Sequence, residues 1–257
     1  MNKLLLPLFS LYFVGCVSNS APDTKFVEAN LRKPSVAAKV YKPKGEWDIR
    51  SEKDLEPVKK LGAKVVVRKG VTRVNLNGIV LDGSSQNGSG SQSEDQTPIF
   101  RARIPLVIEN GFINNNKNAA TFYKQNSGVR NIVWTEIGED AVATYDGAKN
   151  FFVDGCEFSG AADKSIQLNE ASGARVVNNT IVGGITGARI GKIDFSSSKD
   201  VAICGNNTFI NVDTAWNVGK VTLIVGENKN IYKNVKTPFK TTHGAKIKNA
   251  DEKVVFE

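Results

Sequence analysis

Apolar residues in this chain come in runs of four to seven, rich in Val, Ile and Phe, broken by Gly, Asn or a small-residue bend. Runs that short, with no sustained helical period, predict β-strands. Across Gly128–Lys192 they repeat as a unit: an apolar run, a turn, a bend, a second run, then another Gly or Asn. The second runs align as EDAVATYD, DKSIQLNE, ARIGKIDF and, one lap later, TAWNVGKV. From Asp140 to Lys164 is 24 residues, and from Lys164 to Arg189 is 25. A repeat in the twenties predicts a solenoid, because one lap cannot bury its apolar face until a neighbour stacks on it. Adjacent strands lie about 4.8 Å apart, so Asp140, Lys164 and Arg189 are expected on neighbouring rungs of one column. Asn118, 22 residues before Asp140, is expected at the top of it.

The flanks read differently. Residues 16–50, rich in Ser, Ala, Pro and Lys, predict a flexible tether, and 51–257 the strand domain. Ser51–Gly62 predicts a short helix capping the open end of the coil, with Ser51 as N-cap, Lys59 and Lys60 late, and Gly62 as the stop. Ser84–Asp95 predicts a low-complexity loop. Asn114, Asn115, Asn116, Asn178, Asn179, Asn206 and Asn207 are expected at turns, where Asn tolerates positive φ. The laps are expected to fade after IYKNV, with 240–257 a polar closing segment.

The first residues, MNKLLLPLFSLYFVGCVSNSAP, set one cation before an apolar stretch too short to span a bilayer. The stretch ends in Phe13-Val14-Gly15-Cys16, which resembles a bacterial lipobox. Residues 1–15 are therefore expected to be a lipoprotein-type signal peptide, with Cys16 lipidated and the protein an outer-membrane lipoprotein; ordinary secretion is the alternative. Without those residues the formal charge of +8 falls to +7 through loss of Lys3. A basic excess on an exported protein suits a polyanionic partner, although solvated Lys on a β surface accounts for it equally. No Arg/Lys cluster interleaves with aromatics, which argues against nucleic acid. Cys156 and Cys204, nearly two laps apart, are expected to be free buried thiols. His243 is the only His, which excludes a His-based triad.

Four features sit together: VWTEIGEDA at 133–141, DKSIQ at 163–167, the lap spacing, and an Arg 25 residues beyond the Lys. With PIFRAR at 98–103 they resemble polysaccharide lyase family 3, the small pectate lyases, over about residues 77–235. The resemblance implies an all-β, single-stranded right-handed parallel β-helix. It implies calcium-dependent β-elimination of polygalacturonate or a related uronate by a monomer. Position by position, Lys164 matches the base, Arg189 the Arg that holds the substrate carboxylate, and Glu139 and Asp140 the acids at the metal, with Glu136 three residues upstream. Asn118 stands where the family has an Asp, and Thr186 where it has a Lys. The acid expected just after PIF is replaced near Ala102–Arg103. A catalytically weakened β-helix that binds acidic polysaccharide at the cell surface is the alternative, and a purely structural solenoid a third.

The resemblance also implies that these carboxylates and the Asn118 amide oxygen would supply oxygens to Ca²⁺. The proton chemistry can be argued from the residues themselves. Lys164 must shed a proton to act as base; Arg189 one rung away would favour that by like-charge repulsion, and Asp140 on the other side would oppose it unless Ca²⁺ occupies that acid, predicting an alkaline optimum. Arg stays charged and suits carboxylate binding; Lys192 and Tyr145 are further substrate-binding candidates. The same charges also read as a structural salt-bridge ladder, Trp134 as core packing before a sugar platform, and Tyr123 and Tyr145 as ordinary stacking in one column. Strict alternation from Val142 and Ile166 would turn Asp140 and Lys164 inward, at several kcal/mol per buried ion. A bend at Ala141, Ser165 and Ile190 is therefore expected, leaving the charges on an outer groove.

Overall fold

The computed structural model describes residues 30–85, 97–159, 161 and 163–250. The signal-peptide and Cys16 readings and most of the Ser84–Asp95 loop lie outside the described residues. Among those described, no helix is long and apolar enough to cross a membrane.

Short apolar runs fold as the repeat predicts, into a parallel β-helix. Its laps stack in two sheets. The eight-stranded sheet runs Trp47–Ile49, Phe100–Ala102, Ala120–Phe122, Asp140–Thr144, Lys164–Leu168, Thr186–Ile190, Thr214–Gly219 and Thr237–Thr242, each parallel to the next. The fifteen-stranded sheet forms the remaining wall. Its long strands Leu106–Asn116 and Gly128–Ile137 pair along most of their length. The next lap divides the same path into Phe152–Asp154 and Glu157–Ser159, both paired to Gly128–Ile137. The antiparallel hairpin Lys64–Arg68 and Val71–Asn75 joins this sheet at one end.

Alternate side chains turn inward and fill the coil. One inward column carries Phe100, Ala120, Val142, Ile166, Ala188 and Trp216, all buried. Trp134 stacks on Phe158 at 6.0 Å inside the coil, so it is core rather than a sugar platform. Cys156 and Cys204 are buried thiols outside any disulfide; burial pushes the Cys156 thiol up to about 12. At the bends Asn serves two purposes. Asn115, Asn178 and Asn206 take positive φ. Asn179, Asn207 and Asn230 form a buried amide ladder, with Nδ2 to Oδ1 distances of 2.9 and 2.8 Å, so each lap satisfies the polar groups of the next.

The structure departs from expectation at both flanks. Within the segment expected to be a tether, Val40–Tyr41 pairs with Val80–Asp82, and Trp47–Ile49 is the first rung of the eight-stranded sheet. Trp47 and Ile49 are core residues, because the alternating WDI run buries both apolar side chains. The cap begins as a 3₁₀ turn, Glu52–Leu55, before a helix, Glu56–Lys60. Its Asp54 carboxylate accepts the backbone N–H of Ser51 at 2.8 Å, and Leu55 and Val58 seal the core. Nor do the laps end after IYKNV: Thr237–Thr242 and Lys246–Lys248 continue both sheets.

Candidate active site

The eight-stranded sheet presents its outward side chains in columns. In the first, Asp140 pairs with Lys164, Lys164 with Thr186, and Thr186 with Thr214. In the second, Arg101, Thr121, Ala143, Gln167 and Arg189 lie on successive rungs. The expected ladder of Asp140, Lys164 and Arg189 is thus half right. Asp140 and Lys164 are rung neighbours; Arg189 stands opposite Gln167, three residues further along the strand. The lap from Lys164 closes on Thr186 because the inward pair Ile166 and Leu168 matches Ala188 and Ile190. Burying that apolar pair outweighs aligning one cation with another.

Arg189 nonetheless faces outward, between buried Ala188 and Ile190. Lys164 is partly exposed, and beside it the ladder of paired residues is interrupted while the register is kept. Pairing passes over Ala141 and Ser165, and over Gly187 and Ala215 in the laps above. The expected bend is present at Ala141 and Ser165. In the third lap it falls at Gly187, while Ile190 is a regular core residue.

Lys164 Nζ lies 3.5 Å from Asp140 Oδ1 and also pairs with the carboxylate of Asp163. The Lys164 side chain is 13% exposed and that of Asp140 only 4%. Burial therefore raises the Asp140 pKa to about 7; Lys164 opposes the shift, and Glu139 and Asp163 reinforce it. Glu139 accepts a hydrogen bond from Asn118 Nδ2 at 2.9 Å and lies 3.6 Å from Lys117 Nζ. Asn118 is at the head of the column as expected: the next residue, Ala119, donates its N–H to the Asp140 carbonyl.

A third column forms one wall. Arg103 lies over the Tyr123 ring at 5.1 Å, and Tyr123 stacks on Tyr145, also at 5.1 Å. Phe195 meets Tyr145 edge-on, and Lys192 Nζ sits 5.6 Å from the Phe195 ring. Burial raises the Tyr145 pKa, helped by Tyr123, Asp140 and Glu139. Between this wall and the Asp140–Lys164 column, Thr121 and Ala143 form a floor 6% and 1% exposed. The floor is low because both side chains are small beside Tyr123 and Tyr145.

Glu136 is the predicted ligand that the structure does not bring in. It is exposed at φ +54, on a strand of the other sheet, and is not among the charges acting on Asp140. The acid that joins Asp140 at Lys164 is instead Asp163. The sequence signal for Asp163 was the DK pair itself, whose acid precedes the Lys by one residue and reaches the same ammonium. Among the described residues no group of three or more His, Cys, Asp or Glu is gathered closely enough to hold a metal alone. The donor chemistry still fits a hard cation: the carboxylates of Glu139, Asp140 and Asp163 act on one another electrostatically, and the last two both contact Lys164. A cation here would need further oxygens from a ligand.

A family model described as pectate lyase matches residues 54–237. The match takes in the site sheet from Phe100–Ala102 through Thr214–Gly219. It makes the chain the bearer of a polysaccharide lyase domain, of a family whose substrate is an acidic polysaccharide and whose members generally use calcium. Because the match covers most of the coil and every residue of the outward columns described above, this chain belongs to the pectate lyase family.

Proposed function

We propose that this protein cleaves polygalacturonate or a related uronate polymer by calcium-assisted β-elimination, with Lys164 as base and Arg189 as carboxylate clamp. The observation that carries the reading is that Lys164 and Arg189 stand on adjoining rungs of one sheet, and the Arg189 column also carries the floor of small residues. Three residues of strand and one rung separate them, on the order of 10 Å between backbones. That suits two groups acting on different parts of one sugar chain.

In this reading the Arg189 guanidinium pairs with a uronate carboxylate through parallel N–H donors. Lys164 Nζ, in its neutral form, takes the proton from C5, the carbon bearing the carboxyl group. The electron pair left behind forms the C4–C5 double bond as the bond from C4 to O4 breaks, and the leaving oxygen takes a proton from solvent. Calcium, when bound, would neutralise the uronate carboxyl and so acidify the C5 proton. Glu139, Asp140, Asp163 and the Asn118 side-chain oxygen would hold it. Tyr145 and Lys192 border the substrate on the aromatic side.

The test is ultraviolet absorbance of the unsaturated product from several uronate polymers, with calcium and with EDTA. Turnover that stops in EDTA is expected. The Lys164→Ala variant should lose it while keeping its circular dichroism spectrum; wild-type turnover in that variant would place the base elsewhere. Retardation in a polygalacturonate gel without turnover would make the protein a binder.

A further inference from the structure

We propose that Arg101 is a second anchoring point for the acidic polymer, at the far end of the outward column from Arg189, and that Glu46 occupies it when no polymer is bound. The proposal rests on the uronate reading above for the charge of its ligand. Arg101, Thr121, Ala143, Gln167 and Arg189 face one another rung by rung. Four rung spacings of about 4.8 Å put the two arginines about 19 Å apart on one line. Between them the column carries only the Thr121 and Ala143 floor and Gln167.

Arg101 is incompletely committed. Its Nη2 lies 2.8 Å from Glu46 Oε2, yet that oxygen has no aligned hydrogen bond, and Arg101 Nε is buried with no partner. A guanidinium and a carboxylate at full strength make two parallel bonds; this pair makes none with good alignment. The neighbouring Arg103 differs: its Nε donates to Asp48 Oδ1 at 2.8 Å and its plane covers Tyr123. Burial raises the pKa of Glu46, while Arg101 beside it acts to lower it. Arg101 acts electrostatically on Tyr145, so its charge reaches the groove wall. A uronate carboxylate arriving along the floor offers the buried Nε the in-plane acceptor that it lacks.

Two variants move binding in opposite directions. Arg101→Ala should raise KM for the polymer about tenfold, with a smaller effect on the shortest cleaved oligouronate. Glu46→Gln should lower polymer KM about two- to threefold by releasing the guanidinium. Arg101→Lys should restore part of the loss, since it keeps the charge without the fork. A purely structural pair would lower thermal stability in both variants and shift KM in neither, or in both alike; that result overturns the proposal. Affinity electrophoresis in polygalacturonate repeats the comparison without turnover. If the wild type binds but does not cleave, the lyase reading falls while weaker retardation of Arg101→Ala still supports the anchor. If the wild type cleaves and Arg101→Ala matches it in KM and retardation, the anchor falls alone. Absence of both turnover and retardation in the wild type removes both.

Discussion

Lys164 faces Thr186 on the next rung, and Arg189 faces Gln167. The ammonium therefore has two carboxylates, Asp140 and Asp163, in contact and a hydroxyl-bearing side chain above. Arg189 is not its rung neighbour, since it pairs with Gln167. A cation at position 186 would stand about 4.8 Å from Lys164 between backbones and favour loss of its proton. Thr186→Lys should move the acid limb of the pH–rate profile down by about one unit. An unmoved limb would mean that Lys164 is not the group whose deprotonation limits the rate.

Asp140 predicts a particular pH dependence of stability. Its pKa rises from an ordinary 3.8 to about 7 in the folded protein, chiefly through burial. Between those values the folded state keeps a proton that the unfolded state has released, so stability falls as pH rises across the interval and levels off above it. Asp140→Asn lacks this component. Measured in EDTA, the melting temperature of the variant should gain on the wild type from pH 4 to 7 and stay ahead beyond. The gain is read at about 2–4 °C per kcal/mol for a chain of this size. A constant difference across that range would show that Asp140 titrates normally.

Removing the base leaves a different trace. Lys164→Met should reduce turnover by about a hundredfold or more if Lys164 takes the C5 proton. It also strips Asp140 of a counter-ion at 3.5 Å, leaving a buried carboxylate uncompensated. The variant should therefore melt several degrees below the wild type at pH 8 and close to it at pH 5, where Asp140 is neutral. Equal losses at both pH values would point to packing rather than charge.

How much of this was legible in the sequence depends on which force set each feature. Strand length, lap period and the buried thiols follow from apolar patterning, which is local, and the sequence carries them openly. The Asp140–Lys164 pair was legible for the same reason: Val142 and Ile166 fix that register from two residues away. Arg189 was misplaced because charge was matched to charge, whereas the inward pair Ala188 and Ile190 decides where the lap closes. Ala188 is small enough to pass unnoticed as a core position. Arg101 and Asp163 gave no periodic signal. Their significance comes from neighbours across laps, which becomes visible only once the rungs are assembled.

Gly187 provides the sharpest test of the bend that turns the charged column outward. A Cβ there would come within 2.6 Å of the Phe209 ring and 3.0 Å of the Ala215 carbonyl oxygen. The equivalent positions in the two laps below, Ala141 and Ser165, accept a side chain. Position 187 differs because Phe209 fills the space, packed edge-on against Trp216 at 5.0 Å and stacked on Tyr232 at 5.7 Å. Neither ring can retreat without disturbing a core whose members are fully buried. Overpacking of this kind costs about 1–3 kcal/mol. Gly187→Ala should thus unfold at measurably lower denaturant with an unchanged slope. Pairing it with Phe209→Leu, which opens room beside the new methyl, should return less than the sum of the two separate losses. Simple additivity would show that the contact with Phe209 is not what reserves this position for glycine, and that the break in pairing has another origin.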